Sequence, residues 1–249
     1  MMKTKIVILF FVLSFIVNAA LIIFLLSDYY RKKTEVKSPL SYNELNRYKT
    51  LNKDLQTVAD KGRVVFIGNS IVQYWSDVCN DFFLTNNYIG RGIGGQTSTQ
   101  ILLRFQSDVV SIQPQIVVIL AGANDIAEGD GYYDIDYTLS NIKSMIDIAQ
   151  HNKIKVILCS VLPAREYKLF PMKTISGTAP KIDILNSKLE SLANDTGVTY
   201  VDFNIAMRDE KGAMIDDMTL DGVHPNGNGY LVMQSIIKPV IDAILYLQN

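Results

Sequence analysis

Short apolar runs alternate with longer segments of helical periodicity along most of the chain. The run IVVIL at residues 116–120 is apolar at every position, so a strand formed there would be buried on both faces. Strands of this kind are typical of a parallel sheet that helices cover above and below. The pattern therefore predicts an α/β domain with a doubly wound parallel sheet. Its five predicted strands are 63–67, 87–90, 116–120, 154–159 and 198–201.

Four segments place apolar residues along one side of a helix. In one of them Ile142, Met145 and Ile146 recur at spacings that put all three side chains on the same face. Such a face packs against a sheet, which supports the alternation of strands and helices. The four predicted helices are 97–112, 134–152, 180–195 and 226–247.

A further helix is predicted after Ser41. The repeat there is too short for a stable coiled coil, so we expect this helix to pack on the domain. Its apolar stripe comprises Leu45, Tyr48, Leu51 or Asn52, Leu55 and Val58.

The N-terminus carries an uncharged apolar segment. Residues 6–26 read IVILFFVLSFIVNAALIIFLL, in which only Ser14 and Asn18 are polar. A helix of this length crosses roughly 30 Å of hydrocarbon. Residues 17–19 loosely fit a signal-cleavage site, but more apolar residues follow them. We therefore expect residues 1–26 to be an uncleaved membrane anchor rather than a cleaved signal.

Basic residues flank this segment on both sides. Lys3 and Lys5 precede it and several more lie in a polar linker, residues 27–40, so a literal count under the positive-inside rule would keep the domain cytoplasmic. A short basic start leading directly into an apolar run is, however, how export signals begin. We therefore expect residues 41–249 to form an extracytoplasmic domain, in the cell envelope or periplasm.

Composition excludes several classes of protein. The 249 residues are 48% hydrophobic and 20% charged, as expected of one globular domain. A net charge of −1 gives no electrostatic footprint for nucleic acid. Cys79 and Cys159 lack metal-ligand spacing, so no structural zinc is predicted, and Cys159 is expected to be a buried, inert thiol. Trp75 is expected in the core.

Four polar clusters follow predicted strands, at the edge of a parallel sheet where ligands bind. Each has an ordinary structural explanation when taken singly. Ser70 would cap the following helix, the glycines would form turns, and Asn124 or Asp125 would cap a short helix. The clusters are Gly68-Asn69-Ser70, Gly92 to Thr97, Ala121 to Asp125 and Asp221 to Pro225.

Together the clusters contain the groups that acyl transfer on a serine requires. With Ser70 as nucleophile, a histidine must take its proton and a carboxylate must orient the imidazole ring. Of the chain's two histidines, His151 ends a predicted helix without a neighbouring acid. His224 instead follows Asp221 by one short turn. Ser70, His224 and Asp221 are therefore the candidate catalytic residues.

A tetrahedral intermediate would also need donors for its oxyanion. The backbone N–H groups of Ser70 and Gly95 and the side-chain amide of Asn124 are candidates. Neither G-x-G-x-x-G nor a Walker pattern follows the first strand, which argues against a flavodoxin-like nucleotide or flavin binder. The α/β-hydrolase elbow does not fit either, because Val72 stands where that motif needs glycine.

The four clusters, in this order, resemble the blocks of the SGNH hydrolase family, also called GDSL esterases and lipases. The strongest local matches are GIGGQTS, AGAND and DGVHPN, and the resemblance spans residues 61–247. It implies a flavodoxin-like three-layer α/β/α fold and a solvent-open serine site with no metal or cofactor. It also implies roles for five residues: Ser70 as nucleophile, Ser70, Gly95 and Asn124 as oxyanion donors, and Asp221 with His224 as the D-x-x-H pair.

One residue departs from the family pattern. The family usually has Asp where Asn69 stands, so this chain reads GNS. We expect Asn69 to keep the hydrogen bonds of the loop with one negative charge fewer. The alternative is a binding protein of the cell envelope with weak or no catalysis.

The resemblance to small acetylhydrolases and carbohydrate acetylesterases implies a short acyl group, acetyl above all, on a small-molecule or glycan ester. A lysophospholipase, a thioesterase or an acyltransferase would use the same residues. The segment 160–178 follows the fourth strand and would overhang the site. Four of its residues either shape the substrate pocket or belong to a packed surface loop: Arg165, Tyr167, Phe170 and Met172.

Overall fold

The computed structural model describes residues 14, 17–27, 46–56, 62–128, 131–169 and 173–247. The chain divides into two compact units, Met1–Ser41 and Tyr42–Asn249. In the first unit residues 17–27 are helical. Within the described part of the chain, no helix is both long and apolar enough to cross a membrane. Much of the predicted anchor lies outside the described residues, so the anchor stays a prediction.

The second unit is built on a parallel sheet. The strands are β1 Val64–Gly68, β2 Tyr88–Gly92, β3 Ile116–Leu120, β4 Lys155–Cys159, β5 Glu166–Leu169, β6 Lys173–Ser176 and β7 Thr199–Val201. Five of them pair in the order β2-β1-β3-β4-β7, with every neighbouring pair parallel. This is the flavodoxin-like order. The prediction of a five-stranded parallel sheet is therefore confirmed, with strand ends shifted by no more than two residues.

Helices connect the strands, and some of them begin or end at recognisable caps. They are α1 Lys49–Gln56, α2 Ser70–Val78, α3 Asn80–Thr85, α4 Ser98–Leu103, α5 Phe105–Asp108, α6 Ala123–Ile126, α7 Ile135–His151, α8 Thr178–Thr196, α9 Asn204–Met207 and α10 Gly227–Tyr246. Helix α7 begins where the Asp134 carboxylate accepts the N–H groups of Asp136 and Tyr137. Helix α8 ends at Gly197, whose φ of +68° is the left-handed value that glycine adopts without strain.

Alternate strand residues face opposite sides of the sheet and create two cores. Val65 and Val117 face helices α4, α7 and α8, while Phe66 faces α2, α3 and α10. Trp75 is fully buried in the second core, with its ring 5.4 Å from that of Phe66, as the sequence predicts. Cys159 is also fully buried, and burial raises the pKa of its thiol. The result is a three-layer α/β/α arrangement.

The prediction of one helix over 97–112 is wrong. The segment forms α4, α5 and a 3-10 turn at Val110–Ile112. The predicted apolar positions Ile101 and Phe105 are buried, but the helix breaks at Arg104, whose side chain is also buried. A guanidinium taken out of water needs hydrogen-bond partners. Those of Arg104 are the Gln96 side chain, the Gly68 carbonyl at the end of β1 and the Asp108 carboxylate in α5.

The segment 160–178 is not an irregular loop. Strands β5 and β6 form an antiparallel hairpin in which Tyr167 pairs with Ile175. These two side chains are 5% and 7% exposed, so one face of the hairpin packs on the domain. Phe170 and Met172 lie outside the described residues.

Helix α1 packs on the domain, as predicted. The open choice between residues 51 and 52 is decided in favour of the polar one, because Asn52 is 3% exposed and Leu51 is 54% exposed. Leu55 packs against the core formed with β1 and β3.

Candidate active site

The turn after β1 places Ser70 at the carboxyl edge of the sheet. Gly68 has no room for a side chain, since an added Cβ would lie 2.5 Å from the Leu120 carbonyl oxygen and 2.6 Å from a methyl group of Val72. The Asn69 side chain caps helix α2 by accepting the N–H of Ile71 at 3.0 Å. The cap is therefore Asn69, and the explanation of Ser70 as a helix cap is wrong. Asn69 keeps a loop hydrogen bond, as expected.

A second turn brings His224 and Asp221 to the same place. The Oγ of Ser70 lies 2.9 Å from Nε2 of His224, and Nδ1 of His224 lies 2.7 Å from Oδ2 of Asp221. The other carboxylate oxygen of Asp221 accepts the backbone N–H groups of Val223 and His224 at 3.0 and 2.8 Å. The backbone of this turn thus fixes the Asp221 carboxylate, and the carboxylate orients the imidazole ring of His224.

The charge of Asp221 is set by opposing effects. Partial burial acts to raise the pKa of its carboxyl group, but hydrogen bonds from the His224 backbone, the imidazole and the Val223 backbone outweigh it. The pKa of Asp221 is consequently lowered, and the group is ionised at neutral pH. Because a carboxylate accepts from Nδ1–H, Nε2 is left as an acceptor for the Ser70 hydroxyl.

The two remaining predicted site residues lie on the loops after β2 and β3. Gly95 has a φ of +78° and sits on the exposed rim. Its neighbour Gly94 donates its N–H to the Gln73 side chain at 2.9 Å, whereas the N–H of Gly95 has no acceptor among the described residues. One hydrogen of the Asn124 amide goes to the Gln96 carbonyl at 2.9 Å. An amide carries two, so a second donor remains.

Ser70, His224, Asp221 and Asn124 share one cavity of about 130 Å³. Apolar side chains form much of its wall, together with Tyr167 from the β5–β6 hairpin. The full lining is Asn69, Ser70, Ile71, Ala123, Asn124, Ala127, Tyr167, Asp221, Val223 and His224. The cavity opens between the ends of β1 and β3, where the strand order reverses.

Other residues from the sequence analysis lie away from this cavity. Arg165 is exposed and lies 3.7 Å from Asp209 in an ion pair. His151 is an exposed residue at the end of α7. Among the described residues, no group of three or more His, Cys, Asp or Glu side chains is arranged to hold a metal ion.

Sequence reasoning missed two residues near the site. The ring of Tyr74 lies 5.3 Å from that of His224, and nothing in the stretch VQYW indicates this contact. Asp125 is not a simple helix cap, because its buried carboxylate accepts the N–H and hydroxyl of Ser98 and the hydroxyl of Thr138. Burial raises the pKa of Asp125 despite these hydrogen bonds. The sequence feature that could have pointed to Asp125 is its position directly after Asn124, a candidate site residue.

Comparison with known proteins gives a consistent result. The sequence profile of the GDSL-like lipase/acylhydrolase family matches residues 66–232. The crystal structure of a GDSL-like lipase from Bacteroides thetaiotaomicron is 46% identical, with a TM-score of 0.77, over 82% of this chain and 99% of that one. The isoamyl acetate-hydrolyzing esterase of Saccharomyces cerevisiae is 24% identical over 66% of this chain and 72% of its own length.

A third relative is longer than this chain. The N-acylneuraminate cytidylyltransferase of Escherichia coli is 26% identical over 85% of this chain, and the matched part is 47% of that protein. The chain therefore spans about half the length of this relative.

Proposed function

Because the chain belongs to the GDSL-like lipase/acylhydrolase family and is a hydrolase of the SGNH type, we propose that it is a serine esterase acting on short-chain acyl esters, chiefly acetyl esters. The observation that carries this proposal is the pair of hydrogen bonds that joins Ser70, His224 and Asp221, at 2.9 and 2.7 Å, beside a small cavity. The three side chains have the relative order that a nucleophile, a base and an orienting acid require.

In the first step the Ser70 oxygen attacks the ester carbonyl carbon while Nε2 of His224 accepts the hydroxyl proton. The imidazolium that forms is stabilised by the ionised Asp221. When the tetrahedral intermediate collapses, the bond to the alkoxy group breaks and His224 returns the proton to that leaving oxygen. The products of this step are the free alcohol and an acyl group on Ser70.

The second step repeats the chemistry with water. His224 accepts a proton from a water molecule, the water oxygen attacks the acyl carbon, and the proton then returns to Ser70 as the bond to its oxygen breaks. In both steps the oxyanion would accept from the N–H groups of Ser70 and Gly95 and the amide of Asn124. Such donors stabilise charge that develops only in the transition state.

The size of the cavity favours a short acyl group. At about 130 Å³ it is well below the roughly 300–1,000 Å³ of a pocket for a drug-sized ligand. Ala123 and Ala127 supply small apolar wall positions, and Tyr167 is a larger residue of the same wall. The name of the yeast relative, an esterase of isoamyl acetate, supports an acetyl group. The alcohol part, small molecule or glycan, would extend into solvent.

The N-terminal segment supports a location at a membrane. We propose that residues 1–26 anchor the chain, because residues 6–26 carry no charge. We propose further that the hydrolase domain lies outside the cytoplasm, because a short basic start leads directly into this apolar run, as in export signals. A reporter enzyme that is active only outside the cytoplasm, fused to the C-terminus, tests this. Activity of the reporter supports the proposed side, and activity of a cytoplasm-only reporter at the same position contradicts it.

The substrate proposal is tested with p-nitrophenyl acetate, butyrate and octanoate, each assayed with the wild type and with Ser70→Ala. We expect the highest kcat/KM for acetate and no activity above background for the variant. A preference for octanoate would favour a lysophospholipase or thioesterase instead. A folded wild type that hydrolyses none of the esters would favour the binding protein that the unusual Asn69 suggests.

A further inference from the structure

A buried polar network lies beneath the loop from Gly92 to Gln96, which we call the oxyanion loop because it carries Gly95, one of the three proposed oxyanion donors. At its centre is Arg104, whose side chain is 0% exposed. Its Nε donates to the Gln96 side chain at 2.6 Å, and its two terminal nitrogens donate to the Gly68 carbonyl at 2.8 Å and to Asp108 at 3.0 Å. One guanidinium therefore joins the turn before Ser70, the oxyanion loop and helix α5.

Helix α1 and Tyr48, the residue just before it, complete this network. The Asn52 amide donates to Asp108 at 2.7 Å, and its oxygen accepts two hydrogen bonds from Arg91, at 2.9 and 2.8 Å. The Tyr48 hydroxyl donates to the Gly92 carbonyl at 2.5 Å, while its ring lies 4.6 Å from the Arg91 guanidinium. Because Asn52 and Arg91 are buried, these hydrogen bonds are shielded from competition with water.

The loop from Gly92 to Gln96 is thus held at both ends. Tyr48 binds the backbone where the loop leaves β2, and Arg104 binds the Gln96 side chain where the loop enters the next helix. The Gln96 carbonyl then accepts the Asn124 amide at 2.9 Å. The exposed Gly95 lies between these fixed points.

We infer that Tyr48, Asn52 and Arg104 are positioning residues that hold the oxyanion loop, so that helix α1 is part of the catalytic unit. The inference rests on the proposed function. Oxyanion donors act by being fixed before the reaction, and a misplacement of about 1 Å can cost roughly 10²-fold in rate. Tyr48, which directly precedes α1, and Asn52 within α1 both lie outside the matched residues 66–232, so the family match does not include this support.

Tyr48→Phe is the gentlest test, because it removes one hydroxyl and keeps the ring beside Arg91. Its matched control is Tyr200→Phe, which also removes a phenol that donates to a backbone carbonyl, that of Asn186 at 3.3 Å, away from the cavity. We expect Tyr48→Phe to lower kcat for p-nitrophenyl acetate about tenfold with little change in KM. Amide hydrogen exchange in residues 92–97 should become faster. Tyr200→Phe should change neither quantity.

Arg104→Lys is the stronger variant. Lysine keeps the charge but cannot reproduce the planar set of donors that reaches Gln96, Gly68 and Asp108 together. We expect kcat to fall about 10²-fold, with faster exchange in the same segment. If this variant does not accumulate as folded protein, Tyr48→Phe decides the question.

The inference is overturned if Tyr48→Phe leaves both kcat and exchange in residues 92–97 at the values of Tyr200→Phe. A wild type without esterase activity would count against the proposed function alone. In that case exchange still decides whether α1 holds the loop: faster exchange in Tyr48→Phe supports the positioning role, and unchanged exchange overturns it.

Discussion

The two edges of the parallel sheet carry cavities of different size and content. At the amino edge a cavity of about 710 Å³ lies beside the starts of β4 and β7, where Lys155 and Val198 contribute to its wall. At the carboxyl edge the cavity of about 130 Å³ brings Ser70, His224 and Asn124 together. The smaller cavity is the one with hydrogen-bonded groups of complementary chemistry. Convergent polar groups, rather than volume, therefore identify the candidate site.

The largest loss of activity is expected for His224→Ala, at the carboxyl edge. Without a base the Ser70 hydroxyl keeps its proton, so kcat should fall on the order of 10⁶-fold. The matched variant at the other edge is Lys155→Ala, which should stay within about twofold of the wild type because it touches no group of the site. Steady-state hydrolysis of p-nitrophenyl acetate measures both. Equal losses in the two variants would remove the distinction between the edges.

A smaller loss is expected for Asn124→Ala. This substitution removes a proposed oxyanion donor while Ser70, His224 and Asp221 keep their contacts, so kcat should fall roughly 10²- to 10³-fold. The hydrogen bond to the Gln96 carbonyl is lost as well, so the Tm of the variant should be measured beside its kinetics. A rise in KM with kcat unchanged would assign Asn124 to substrate binding instead.

Tyr167→Leu should change acyl preference rather than overall chemistry. Removing the ring from the cavity wall makes room for extra methylene groups, so the ratio of kcat/KM for butyrate over acetate should rise about tenfold. Tyr167→Phe keeps the ring and should keep the acetate preference. An unchanged ratio in Tyr167→Leu would mean that the hairpin does not limit the acyl group.

The smallest effect concerns stability in acid. The folded pKa of Asp221 lies below its unfolded value of about 3.9, so the unfolded chain binds more protons between these two values. The stability that the carboxylate contributes is therefore present above about pH 3.9 and is lost as pH falls through the folded pKa. The difference in Tm between wild type and Asp221→Asn should be constant from about pH 7 to 5 and shrink toward pH 3. A difference that grows in acid would contradict the sign.

Much of the fold follows from local patterns. A parallel strand covered on both faces must be apolar throughout, which is why runs such as residues 116–120 predict strands with only small errors at their ends. Periodicity is less reliable in amphipathic helices. Leu231 is one of the apolar residues within the predicted helix 226–247 but is 61% exposed, while Tyr230 beside it is buried.

The candidate site could be predicted as a set of residues but not as a network. Four clusters after parallel strands must share an edge, and the family membership that they predict is confirmed. The structure brings Ser70, His224 and Asp221 into hydrogen-bond contact, and their catalytic roles stay predictions. Arg104 could not be found in this way, because a polar residue in a helical pattern indicates a solvated face unless its buried partners are known. Asn52 entered the prediction only as an alternative to Leu51 in the packed stripe of α1, with no sign of its partners.

The most direct test of the central claim is labelling with a fluorophosphonate, which reacts covalently with an activated serine hydroxyl. Peptide mass spectrometry should find the label on Ser70 of the folded wild type, with none on Ser70→Ala and much slower labelling of His224→Ala. An enzyme that hydrolyses acetyl esters while Ser70 stays unlabelled, or that carries the label on another residue, would contradict the assignment of the site.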